Sequence, residues 1–507
     1  MPRLPFLSDN VEKQRRITAE FKGFNATPAR SEGEFSQMMN MSNDLYPNIT
    51  VRSGRRCELS ETGIECIGAK GKLYYVKDGG FYYDNKKKFS VSSGKKRYAH
   101  MGNYIIIAPD KMYYDEESGE YGTLYNEYVS NAGEITFGAG YITTSGAAFE
   151  GFSKGDGISI SGADDEENNR AAIIDTIEDK KITFTTDNIF TEGTNSGAVT
   201  IKREIPDMDY ICEFGNRLWG CKGNDIYCSA FGDPFNFNKF NGTRAESYSI
   251  TLGSHGDFTG MISFMSHLLF FKEECIHKLY GDNSKNYEIV TTTCQGAENG
   301  ADGTIKIVGE TVYYKGRKGV YAYTGGMPVL ISSTLGSEGF KSVCAGTDLT
   351  KYYITAEKNG ELCIYVYNPT YNTWCVEDNN IQVNSFANFG GSLYAAGADG
   401  IYVFGDKDRS ETEWSFDMAF NETVLERKGY GKLQIRYSTG DVSNNVYVSV
   451  QNDDEPAREI SLVQSYKKTM VIPIPIRRSD RLTLRFSGKG AFTLETLVRE
   501  FYSGSDR

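Results

Sequence analysis

In 507 residues there are only four histidines, three tryptophans and twelve prolines. No stretch is apolar for the length of a membrane-spanning helix. His100, His255, His267 and His277 do not fall into H-E-x-x-H or another zinc pattern. The chain has no G-x-S-x-G nucleophile elbow, no Walker A loop and no G-x-G-x-x-G opening a helix. Residues 1–10 lack the apolar core of a signal peptide. The expectation is therefore a soluble, cytoplasmically made protein that is not an enzyme, needs no cofactor and does not insert in membranes.

Neither charge nor cysteine offers a dense cluster. The net charge is −12, and no basic patch of nucleic-acid-binding strength stands out. Residues 129–206 hold 13 acidic against 6 basic side chains, whereas residues 411–507 hold 14 of each. The ten cysteines are scattered, and the intervals Cys212–Cys221–Cys228 are wider than C-x₂₋₄-C. Most fall in strand patterns, which predicts buried thiols acting as small hydrophobes, with metal or disulfide roles as the minor alternative.

What the chain has in quantity is glycine (54), tyrosine (34) and phenylalanine (29). They recur in one cassette: a hydrophobic strand, a Gly, Asp or Asn turn, and an aromatic strand. The first copy is Lys72-Leu73-Tyr74-Tyr75-Val76-Lys77-Asp78-Gly79-Gly80-Phe81-Tyr82-Tyr83. Further copies start near residues 104, 217, 268, 312, 352 and 393. Each reads as a β-hairpin, and apart from one gap of 113 residues the interval suits propeller blades of about 40 to 50 residues. The expected fold is all-β: a β-propeller of about seven blades, six or eight remaining open, with an array of β-sandwiches as the competing architecture.

The gap predicts an insertion. Residues 129–206 alternate as strands around an acidic turn at 164–169 and read as a small acidic β-domain placed between blades. The resulting division is an N-terminal arm with a first propeller strand (1–56), propeller blades (57–128), the insert (129–206), further blades (207–410) and a C-terminal β-sandwich of jelly-roll type (411–507). Pro473 and Pro475 fit an edge strand or an irregular stretch of that sandwich. Val11 to Phe21 has weak helical periodicity, and Ile49 to Arg56 reads as a strand bearing solvated arginines. Lys86, Lys87 and Lys88, like Lys95-Lys96-Arg97, read as basic turns, mostly solvated, with phosphate or partner contact as the alternative. Ser229 to Phe237 is expected to pack its rings on a blade edge.

Two kinds of chemistry deserve a check. Asp156, Asp164, Asp165 and Glu166 could hold calcium, but their spacing matches no EF-hand loop. Some propellers hydrolyse glycosides with two carboxyls across a cleft. Asp78, Asp110, Glu274 and Asp399 stand at or near hairpin turns, where isolated carboxylates mostly serve turn geometry and solubility.

Several stretches occur in an order that resembles the β-propeller tail proteins of short-tailed bacteriophages, called tail nozzle, tail tubular protein B or packaged-DNA stabilisation protein. They are Phe21 to Phe24, Asn40-Met41, Pro47 to Arg55, Arg217-Leu218-Trp219-Gly220, Ile226 to Ser229 and Gly232-Asp233-Pro234-Phe235-Asn236-Phe237. Phe271-Lys272 with Ile276 to Gly281, then Gly296 and Tyr313 to Tyr321, follow in order. The resemblance implies a structural virion protein without catalytic residues. It implies a homohexameric ring at the portal or its adaptor ring, around a channel that retains packaged double-stranded DNA and releases it. The propellers would form the wall, and the arm, insert and sandwich would make subunit contacts. The insert has no identified counterpart; a platform for tail fibres or a lumen gate are both open. An acidic wall would let DNA pass without sequence-specific binding or adhesion. Arg52, Arg55, Arg56, Lys86, Lys87, Lys88, Asp164, Asp165 and Glu166 are the candidate partner or subunit contacts. A peripheral fibre-adaptor or receptor-binding protein with the same propeller is the alternative.

Overall fold

The computed structural model describes residues 13–336, 341–358, 360–421, 427–440, 446–462, 467–474 and 478–503. Seven four-stranded antiparallel sheets follow one another as blades. Blades 1 and 2 span residues 64–90 and 97–123; blades 3, 4 and 5 span 210–251, 260–293 and 306–330; blade 6 spans 341–378. Blade 7 takes three strands from residues 385–406, and its outer strand, Gly54–Leu59, from the other end of the chain. That shared blade closes the ring. The expected propeller of about seven blades is therefore present.

Local chemistry explains the hairpins. In blade 1, Lys77 pairs with Gly80 across the two-residue loop Asp78-Gly79, both with positive φ (47° and 65°). The next loop, Asp84-Asn85, has φ of 52° and 60° between the paired Tyr83 and Lys86. This is the tight turn whose twist matches that of the strands, and Asp, Asn and Gly are the residues that tolerate it. Aromatic rings then join neighbouring blades. Tyr74 meets Tyr98 edge-on at 4.8 Å, Trp219 meets Tyr287 at 5.1 Å, Phe271 meets Tyr314 at 5.1 Å and Tyr313 meets Tyr352 at 5.3 Å. Each such pair adds roughly 0.5–1.5 kcal/mol beyond the area it buries. The cassette's rings are core and blade-to-blade contact.

The insert leaves blade 2 at residue 126 and returns to blade 3 after residue 203. Its eight strands form one hydrogen-bonded sheet folded over a separate core that includes Ile135, Phe137, Ile142, Ile174 and Ile201. At the joint, buried Asp156 accepts hydrogen bonds from Arg203 Nη1 (2.8 Å) and Asn236 Nδ2 (2.6 Å).

The C-terminal part is a sandwich of two sheets, but a third of it comes from the arm. One sheet contains Glu413–Phe420, Val446–Asn452, Arg458–Leu462, Leu482–Lys489 and also Gln37–Met39. The other contains Lys428–Thr439, Lys467–Pro473, Arg478–Ser479 and Phe492–Ser503, together with Gln14–Thr18, Met41–Ser42 and Ile49–Val51. Pro473 lies on an edge strand, paired with Lys432, while Pro475 lies outside the described residues. Phe35, Met41, Ile49 and Val51 share a core with Trp414, Phe416 and Phe492, and that core continues into Tyr353, Phe386 and Leu393 of blades 6 and 7.

Two expectations for the arm need correction. Where helical periodicity was read over Val11 to Phe21, Gln14–Thr18 is a strand paired with Phe492–Ser503, Gln14 opposite Phe501; the residues before 13 lie outside those described. The continuous strand expected over Ile49 to Arg56 is two strands. Ile49–Val51 belongs to the sandwich, and Gly54–Leu59 is the outer strand of the last blade. Both differences arise because the partners lie hundreds of residues away, where local patterning carries no information.

Candidate functional site

Two concave regions stand out. The larger is a cleft of about 1110 Å³ between the sandwich and blades 6 and 7, and the smaller is the propeller axis, about 650 Å³.

The cleft gathers Arg52, Arg55 and Arg56, but it uses them internally. Arg52 Nε donates to Asn40 Oδ1 at 2.9 Å, and its Nη2 reaches Asp378 at 3.2 Å. Arg55 lies over the Phe404 ring at 4.8 Å, donating from Nη1 to Asp378 (2.9 Å) and from Nη2 to Glu377 (2.8 Å). Burial works against the Asp378 carboxylate, yet the charges of Arg55 and Arg52 hold it below the usual carboxylate range. Arg52 and Arg55, expected as solvated contacts, are therefore a buried clamp between the arm and blade 6. Arg56 alone keeps an exposed side chain, beside Glu58 at 3.0 Å. Lys489, Asp406, Asp408, Glu411 and Glu413 complete the cleft's charged lining.

The other sequence-derived candidates lie apart. Lys86, Lys87 and Lys88 sit on the outer strand of blade 1, Lys86–Ser90, rather than in a turn, and Lys88 Nζ stands 5.4 Å from the centre of the Tyr114 ring. Asp164 accepts from the Ser196 backbone, and Asp165 caps a short 3-10 helix by accepting from Glu167 N at 3.0 Å. The hydrogen bonds from Ser196 hold Asp164 below the ordinary carboxylate pKa. Glu166 is exposed in the same turn. Asp156, grouped with them by sequence, is instead taken by Arg203 and Asn236. Among the described residues no group of three or more His, Cys, Asp or Glu could hold a metal ion. The ten cysteines are free and eight of them are buried, in line with the expectation for most of them, while Cys57 is exposed and Cys212 half-buried.

The carboxylates checked for glycoside chemistry stand in different blades with separate partners. Asp110 pairs with Lys96 at 2.6 Å, Asp399 accepts from Tyr402 at 2.7 Å, and Glu274 lies 4.0 Å from Arg317. Asp78 occupies the left-handed position of its turn. Phe235 of the aromatic turn packs edge-on against Tyr104 and Tyr113 of blade 2, as expected, but Phe231 is exposed.

Lys95-Lys96-Arg97 is the largest departure from a solvated turn. Lys96 is buried against Asp110. Lys95 Nζ and Arg97 Nε each donate at 2.8 Å to Asp302, crossing the axis from blade 2 to the entry of blade 5. Arg97 also lies over the Tyr210 ring of blade 3, 4.5 Å from its centre. Burial opposes the Asp302 charge, but Arg97 and Lys95 keep its carboxyl below the usual range. The bridge spans 205 residues of sequence. The only signal was a basic run just ahead of an inner strand, and nothing local identified its partner.

One constellation resembles a nucleophile and its base. His277 Nε2 faces Ser254 Oγ at 3.0 Å and Cys275 Sγ at 3.4 Å, while Nδ1 faces Thr291 Oγ1 at 2.8 Å. Burial, and next the Lys272 charge, lower the imidazole to about 4. Such a weak base draws little on a serine proton, and a threonine hydroxyl stands where a carboxylate would orient and charge-balance the ring. Its consequence is for stability. The folded value lies below that of the unfolded chain, so His277 costs nothing above about pH 6.5, and as pH falls the unfolded chain takes up the proton first. Stability should drop by roughly 3 kcal/mol between about pH 6.5 and 4 on this account. Urea midpoints at pH 7 and 4.5 should fall further apart for the wild type than for His277→Gln; equal differences would remove His277 as the cause.

The sequence matches no protein-family model and no curated protein. Among solved structures, the chain aligns with the computationally designed Ika8 protein at 9% identity and a TM-score of 0.36, covering 69% of this chain and 98% of that one. BamB from Moraxella catarrhalis aligns at 9% identity and 0.35, over 70% of this chain and 96% of that one. Phage phi92 endosialidase aligns at 9% identity and 0.23, over 72% of this chain and 69% of that one. The propeller assignment stands on the chain's own seven sheets.

Proposed function

We propose that this chain is a structural, non-catalytic protein of a short phage tail. In this reading it assembles as a hexameric ring, docks on the portal or adaptor ring, and surrounds the path by which packaged DNA is retained and then ejected. The protein is made in the host cytoplasm and resides in the virion tail. The observation that carries the reading is the crossed propeller axis: with Lys95 and Arg97 tied to Asp302, side chains span the centre of a single propeller, which suits a wall element and not a conduit. In this reading the DNA path runs between copies. The ordered resemblance of residues 21–321 to tail proteins and the net charge of −12 support the same arrangement, since an acidic lumen does not hold DNA.

Electron microscopy and native mass measurement of the purified full-length chain, alone and with a portal–adaptor assembly, test this. The expected result is a closed ring of six with a lumen wide enough for duplex DNA and lined mainly by acidic and neutral residues. A strict monomer that stays off the portal, or a lumen lined mainly by Lys and Arg, would sink the reading. Peripheral trimers would favour the fibre-adaptor alternative.

A further inference from the structure

The axis holds more positive charge than its internal bridge consumes. Lys95, Arg97 and Lys306 all line it, and the one carboxylate placed among them, Asp302, is already shared by Lys95 and the Arg97 Nε. Lys306 starts the inner strand of blade 5, Lys306–Val308, and its side chain makes neither a hydrogen bond nor an ion pair among the described residues. The Nη groups of Arg97 likewise have no acceptor among them, the guanidinium face being covered by Tyr210. Glu65, the other acidic side chain on the lining, accepts from the Gly94 backbone at 3.0 Å. Asn384 and Asn388 of blade 7 add amide groups to the same wall, Asn384 donating to Ile64 O at 2.7 Å and Asn388 to Thr347 O at 3.0 Å.

An unpaired ammonium in a narrow cavity is unfavourable unless something compensates it. Lys306 shows that cost: burial lowers its pKa, against the partial support of Asp302. The chain as a whole is acidic, so the cations on the axis are not part of a general basic surface. A guanidinium edge and an ammonium lining one cavity suit an oxyanion with several acceptor atoms. The cavity, about 650 Å³, has room for such an ion and its waters.

We propose that the propeller axis is a binding site for a small multivalent oxyanion of the phosphate or pyrophosphate kind, held by Lys306 and the free edge of Arg97. The ion would complete the bridge between blades 2 and 5 and tighten the ring.

Calorimetric titration of the full-length chain with pyrophosphate at low ionic strength tests this. The expected result is saturable binding of one ion per chain, weakened at least about tenfold in Lys306→Met. Lys87→Met, altered on the outer strand of blade 1, should bind as the wild type does. Removing an unpaired charge should leave the fold intact, so Lys306→Met should melt no lower than the wild type without ligand. Independently, pyrophosphate should raise the wild-type melting temperature where sodium chloride of equal ionic strength does not. Absence of saturable binding, unchanged affinity in Lys306→Met, or equal weakening in Lys87→Met would overturn the site. None of these outcomes depends on ring assembly.

Discussion

Deleting residues 1–59 is expected to abolish cooperative folding of both the propeller and the sandwich. The deletion takes the outer strand from blade 7, leaving an open three-stranded blade where the ring should close. It also takes every arm strand from both sheets of the sandwich. Phe21, Phe35, Met38, Met41, Ile49 and Val51 are all buried in the core shared by the two modules. Burying one such side chain is worth about 1.5–3 kcal/mol. Six of them together match or exceed the roughly 5–15 kcal/mol by which whole domains are stable. The Arg52 and Arg55 clamp is lost as well, stranding Glu377 and Asp378. Thermal melts followed by circular dichroism, with size-exclusion chromatography, should show aggregation or a broad non-cooperative transition. A truncated chain that melts sharply near the wild-type temperature would falsify this account of the arm.

Asp156→Ala should be the most damaging single substitution at the insert. Asp156 is fully buried and carries the only carboxylate paired with Arg203 among the described ion pairs. Removing it leaves a buried guanidinium without its counter-charge and Asn236 without its acceptor. Breaking one side of a buried pair costs about 3–5 kcal/mol. The double variant Asp156→Ala with Arg203→Met should recover much of the loss, because the stranded charge is gone. Urea unfolding of the two single variants and the double variant measures the coupling. Because Asp156 also ties the insert to the blade 3 loop through Asn236, limited proteolysis should also cut Asp156→Ala sooner near residues 203–240. A loss below about 1 kcal/mol would mean that the joint is held by other contacts.

The elements that could be read from sequence are those whose determinants are local. Asp78-Gly79 and Asp84-Asn85 specify tight turns through their own backbone preferences, and alternating Tyr, Phe and Ile between such turns specifies strands. Hence the blades, the insert and the C-terminal strands were legible. The candidate contacts were not. Arg52 and Arg55 look like solvated arginines until Glu377 and Asp378 arrive from more than three hundred residues away. Lys96 looks like a loop tip until Asp110 buries it. In each case a charge's role is set by what faces it: blade 6 supplies the partners of the two arginines, and a later turn of the same blade supplies that of Lys96.

The sequence by itself determined that this protein is an array of short hairpins with an acidic insert and a set of C-terminal strands, because strand period and turn chemistry act over a few residues. Tertiary structure alone decided how that array closes. It sent Gly54–Leu59 to the last blade, gave Gln14–Thr18 and Ile49–Val51 to the sandwich, and carried Lys95 and Arg97 across the axis to Asp302. Those pairings join ends of the chain that only the completed ring brings together, and no local propensity encodes a partner so far away.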